Sequence, residues 1–126
     1  AGGMCLTARD LALVGQMPVE GGGQVLPTSW IEDIETAGDP TAWANGDFAD
    51  KMPGLDMHYR SKWYVHRGAK PLIHGLGIHG QYVFVDRARE LSVAWFSSGH
   101  EPLGETQTKD VLQTVFGIIA SIDGGV

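Results

Sequence analysis

The 126-residue chain holds a single cysteine, Cys5, so no internal disulfide can form and stability must come from packing. Cys5 stands beside apolar Leu6 just before a predicted helix, where a buried structural thiol is the expected role rather than a nucleophile. Long apolar runs are missing too: nothing approaches the roughly 18 to 20 residues needed to span a bilayer. No basic start followed by an apolar stretch opens the chain, so no signal peptide is expected and a cytoplasmic setting fits. Basic residues are few, with Lys and Arg numbering 9 against 15 Asp and Glu, for a formal net charge of -6. No stripe of Lys and Arg could track phosphates, which argues against nucleic-acid binding. Repeats and low-complexity tracts are also absent. No serine is followed three places on by lysine; Thr106 and Lys109 have that spacing with threonine in the serine's place.

What is present suits one domain with a core, since hydrophobic residues make up 43% of the chain. Thr7 and Asp10 form a Ser/Thr-x-x-acid helix start, with Leu6 and Leu11 spaced as a hydrophobic staple. That helix is expected to end by Met17, because Pro18 and the Gly21-Gly22-Gly23 loop follow. A short helix after Pro27 is expected next, with Ser29 and Glu32 as a capping box and Trp30, Ile31 and Ile34 facing inward. Residues 37 to 60 have no clean period and read as a long loop, of the kind that often shapes a binding site. Four strands then follow over Lys62 to His66, Leu72 to Ile78, Gln81 to Asp86 and Leu91 to Ser97, rich in β-branched and aromatic residues. Between the last two, Asp86 to Glu90 reads as a solvated hairpin turn. A closing helix from about Thr106 to Ile122 carries a stripe of Val111, Val115, Ile118 and Ile122, widened by Leu112, Phe116 and Ile119. The expected fold is α+β: an antiparallel sheet of about four strands with flanking helices.

Within the strands, Gly75-Leu76-Gly77-Ile78-His79-Gly80 places three glycines in six positions. Such a density weakens a strand unless something must approach its backbone closely. Together with the opening Ala1-Gly2-Gly3-Met4-Cys5-Leu6-Thr7-Ala8-Arg9-Asp10-Leu11-Ala12 and the downstream Phe84-Val85-Asp86, this run resembles the serine β-lactamase-like hydrolases. Within them it is most similar to the nylon-oligomer (aminohexanoate-dimer) hydrolases and related esterases. The resemblance covers nearly the whole chain but only the carboxy-terminal third or so of such an enzyme. It implies acyl transfer on amides or esters, with no cofactor, by a Ser-x-x-Lys nucleophile and a Tyr-x-(Asn/Ser) loop that both precede this segment. Tyr59-Arg60-Ser61 matches the second motif by letter but lies on the wrong side of the opening helix, and is treated as a chance match.

The same resemblance makes the backbone amide of Ile78 one of two oxyanion donors, and Gly77 the place where an acyl group lies flat on the strand. His79 and Gly80 continue that edge, with His79 as a wall rather than a proton shuttle, and Trp63 is expected to contact substrate. Gly75 stands where many relatives carry Lys or Trp, which moves the expectation from β-lactams towards esters or amides. A three-histidine metal site from His66, His74 and His79 is not expected, because residues 74 and 79 in a regular strand point to opposite faces. His58 and His100 are expected in loops and solvated. Trp95 is expected in the core, while Trp43 serves either as a lid or in packing. A piece of this size would leave a sheet edge and an apolar face open, so a homo-oligomer or a complementary amino-terminal chain is expected. Two functional classes stay open: part of a serine hydrolase without its own nucleophile, or a non-catalytic remnant domain that self-associates or binds a partner.

Overall fold

The computed structural model describes residues 3–124 and contains four α-helices and a five-stranded antiparallel sheet. Ala1 and Gly2 of the opening motif lie outside the described residues. Helix α1 (Ala8–Val19) starts as the capping pattern dictates, the Thr7 hydroxyl accepting from the Asp10 N–H at 3.1 Å. It runs past the expected stop, because Pro18 sits in the last turn, where the one lost hydrogen bond ends the helix rather than breaking it. Helix α2 (Thr28–Thr36) has Pro27 at its cap with no side-chain cap bond. Instead of a capping box, the Thr28 hydroxyl donates to Gly21 O at 2.9 Å and ties the helix to the preceding glycine loop. Ile31 and Ile34 face inward as expected, whereas Trp30 is partly exposed.

The span from 37 to 60 is not a continuous loop. It holds α3 (Pro40–Ala44), capped by the Asp39 carboxylate on the Thr41 and Ala42 N–H groups, a 3-10 turn (Ala49–Lys51) and an extra strand, β1 (Met57–Arg60). The sheet is a meander in chain order: β1, β2 (Trp63–His66), β3 (Leu72–Gly77), β4 (Gln81–Asp86) and β5 (Leu91–Trp95). Alternation along the strands gives it two apolar faces. Met57, Leu72, Tyr82 and Phe84 point to one face, under Val111, Leu112, Val115 and Ile119 of α4 (Glu105–Asp123). Val65, Ile73 and Val85 point to the other, where Ile34 of α2 covers them.

α1 also lies on that second face. Gly15 allows its close approach, since a Cβ there would fall 2.2 Å from Ser92 Oγ, and that hydroxyl donates to Ala12 O at 2.8 Å. The buried stripe of α4 is rotated from the expected one: Ile118 and Ile122 are 39% and 44% exposed, while Thr108 is buried and bonded by the Tyr82 hydroxyl. Three further expectations change. His58 is not a solvated loop histidine but a buried β1 residue, with Nε2 2.7 Å from Ile34 O. Asp86 is fully buried, accepting from the Arg89 backbone and guanidinium, and Arg89 also grips Asp123 bidentately. Cys5 is exposed, because it precedes the first helical turn.

Candidate functional site

Helix α2 covers the second sheet face at the Val65, Ile73 and Val85 end and α1 lies over β4 and β5, leaving the face open towards the β3–β4 tip. There the cross-strand row Trp63, Gly75, Val83, Ala94 meets the tip of the β3–β4 hairpin. The result is a groove of about 750 Å³ with Gly75 and Gly77 on its lining, Trp63 and Phe96 at its sides, and the Met4 to Leu11 approach to α1 along one wall. Glycine sets the floor height. A Cβ at Gly75 would stand 3.2 Å from Val83 and 3.6 Å from the Trp63 ring, and one at Gly77 would stand 3.1 Å from Gln81, so both would fill the space above the strand. Sheet backbone is thereby open to a ligand of ordinary small-molecule dimensions.

Ile78 begins the hairpin turn at the mouth of this groove, its side chain 61% exposed. Among the described residues its N–H enters no turn or loop hydrogen bond. The rest of the turn is held rigidly from behind. The His79 N–H donates to Pro102 O at 2.9 Å, the Gly99 N–H donates to His79 O at 2.9 Å, and His79 Nδ1 lies 2.9 Å from Gly99 O. Gln81 reaches across to Ser97, donating to its carbonyl and accepting from its N–H, while the Ser97 hydroxyl donates to Gly80 O and accepts from Gln107 of α4. His79 has φ of 60° and Gly80 has φ of 84°, and the left-handed pair turns the chain sharply into β4.

Of the residues singled out from sequence, Trp63, Gly77 and Ile78 thus line one groove. His79 and Gly80 occupy the same turn but not the groove wall, His79 being turned to the 97–102 loop. Thr106 and Lys109 are exposed on α4, which packs on the opposite sheet face. Ser61, set aside from sequence as part of a chance motif match, and Lys62, expected to open a strand, instead form the two-residue β1–β2 turn at the groove lip. Both are left-handed, with φ of 50° and 70°, in a turn type that favours Asn and Gly. Among the described residues that line the groove, Lys62 is the one charged side chain.

The histidines divide differently from the metal pattern. His66 and His74 meet on the α4 face, Nε2 to Nδ1 at 3.0 Å, and His74 also stacks on Tyr64 with ring centroids 5.1 Å apart. Burial pushes His66 down to about 4. His74 is held well below its ordinary value by burial first and by His66 second. Among the described residues no third His, Cys, Asp or Glu joins them.

No family model matches the chain. It is similar to the 6-aminohexanoate-dimer hydrolase of Paenarthrobacter ureafaciens, with 31% identity over 105 residues. That match takes in 80% of this chain and 26% of the relative, so the chain spans about a quarter of that relative's length. Among the described residues no helix is long and apolar enough to cross a membrane.

Proposed function

We propose that this chain is the carboxy-terminal part of a serine β-lactamase-like hydrolase that cleaves amide or ester bonds through an acyl-enzyme. The observation that carries the reading is the glycine-floored groove ending at the Ile78 amide, in a chain with 31% identity over 105 residues to a 6-aminohexanoate-dimer hydrolase. Acyl transfer builds negative charge on the carbonyl oxygen, and backbone N–H groups fixed in advance stabilise that charge without reorganising. Ile78 supplies one such donor, and the bonds from His79, Gln81 and Ser97 hold its turn in place. Gly77 lets the acyl group lie against the strand, Trp63 contacts its apolar part, and Lys62 at the lip favours a substrate with an anionic end.

The attacking serine is not among these 126 residues, which lack Ser-x-x-Lys. It comes from a complementary amino-terminal part, in the same polypeptide or as a second chain. The outer edge of β5 and the exposed Phe96, Ile78 and Leu13 support association with such a partner or with further copies. A non-catalytic domain that self-associates is the competing reading, favoured by the same missing motif. Native mass spectrometry, denatured intact mass and a serine-reactive fluorophosphonate probe separate the two. The hydrolase reading expects the isolated chain to stay unlabelled and a complementary Ser-x-x-Lys chain to restore labelling and turnover. Labelling of the chain alone, or no turnover when the complement is bound, refutes it.

A further inference from the structure

A second cavity lies on the opposite sheet face from the groove, between β1, β2 and the α3 region. It has a volume of about 430 Å³ and is walled by Trp43, Phe48, Tyr59 and Tyr64, with Asp39 and Asp47 at its rim. Tyr64 is the hub. The rings of Trp43, Phe48 and Tyr59 stand 5.8, 6.0 and 4.8 Å from it, inclined at 86°, 47° and 57°. None of the three is stacked flat on Tyr64, whose parallel neighbour is His74 beneath. The arrangement is an open aromatic cage rather than a closed stack. Trp43 is buried while Tyr59 and Phe48 are 48% and 38% exposed, so the walls are anchored and the mouth faces water.

We propose that this cage is a binding site for a small organic cation, an alkylated ammonium group, separate from the acyl-transfer groove. Aromatic faces carry negative quadrupole potential and attract a poorly hydrated cation held close to several rings at once. An ordinary apolar ligand would draw nothing from the rim, where Asp39 and Asp47 supply only negative charge and no lining residue is basic. One Asp39 oxygen caps α3 through the Thr41 and Ala42 amides, which fixes the carboxylate at the mouth. The net charge of -6 adds long-range attraction of the same sign.

The test is an NMR titration of the chain with choline and, in parallel, with its neutral isostere 3,3-dimethylbutan-1-ol, following the Trp43 indole and the Asp47 and Phe48 amides. Choline is expected to bind at millimolar strength or tighter and the neutral isostere about tenfold more weakly. Tyr59→Ala, at an exposed wall position, is expected to cost about tenfold in choline affinity, and Asp47→Asn about threefold, with the rest of the spectrum preserved. Equal binding of the two ligands, no choline binding, or shifts centred on Trp63 and Ile78 instead would overturn the assignment.

Discussion

Acidification is expected to unfold this protein through two histidines rather than through its carboxylates. His66 and His74 sit between the sheet and α4, 8% and 0% exposed, bonded to each other and surrounded by Tyr64, Tyr82, Phe84 and Phe116. One ring nitrogen donates to the other, and whichever tautomer does so, His74 Nε2 is left without a partner. A proton on either ring would be a buried charge, and among the described residues no Asp or Glu clusters with the pair to offset it. The unfolded chain binds that proton with a pKa near 6.5, while in the fold His66 is pushed down to about 4 by burial. A lowered folded value means that the unfolded state takes up more protons as the pH falls. Stability is therefore complete above about pH 6.5 and is lost progressively towards pH 4. For His66 alone the difference amounts to roughly 3 kcal/mol at pH 4, and His74, lowered further, adds loss of the same sign. That is a large share of the 5 to 15 kcal/mol typical of a domain. Urea denaturation followed by tryptophan fluorescence is expected to show the midpoint falling by about 2 M or more between pH 7 and pH 4. The control is His66→Leu with His74→Leu, which removes both titrating rings at similar volume. Its stability is expected to be nearly flat from pH 7 to pH 5, where the ion-paired Asp33 and Asp123 carboxylates, both lowered by Arg partners, remain charged. If wild type and double variant lose the same stability over that range, the argument fails.

Other perturbations follow from single contacts. Gly38→Ala would drive a Cβ to within 1.9 Å of the His58 ring, whose bond to Ile34 O leaves it little room, and should cost about 1 to 3 kcal/mol by thermal denaturation. Arg89→Ala strips the guanidinium from the fully buried Asp86 and should cost about 3 kcal/mol, with part recovered by adding Asp86→Asn. Replacing Ser61-Lys62 by Asn-Gly suits the left-handed turn and should raise stability by about 1 kcal/mol in urea denaturation. Gly75→Val fills the groove floor against Trp63; with the complementary part bound, turnover should fall at least tenfold while choline binding in the other cavity is unchanged.

Much of the architecture is local in origin and so was legible in the residues. The Thr7 cap, the strands from Trp63 to Trp95 and the α4 helix each follow from a short pattern that needs no distant partner. β1 was not legible, because Met57-His58-Tyr59-Arg60 has no apolar alternation. Its polar members are accommodated by long-range partners, His58 by the Ile34 carbonyl and Arg60 by a bidentate pair with Asp33 at 2.8 and 3.0 Å. Asp86 misled for a related reason: a charge cluster reads as solvated until Asp123, 37 positions on in the sequence, is brought to the same arginine.

The candidate site divides the same way. Glycine density marked residues 75 to 80 as a place of close approach, since that property belongs to the residue type itself. Which members face the groove is a matter of register: alternation puts Gly75 and Gly77 on the open side, and the hydrogen bonds of the 97–102 loop turn His79 aside. The aromatic cage is wholly tertiary, assembled from α3, the loop at 46–48 and two strands whose side chains meet only because β1 pairs with β2. Sequence by itself determined where α1, α4 and the last four strands begin, to within a residue or so, and which residue types are available for chemistry, because caps, periodicity and glycine act within a few positions. The fold alone decided which of those residues share a cavity and which histidines lose their water, because both depend on strand pairing and burial between residues far apart in the chain.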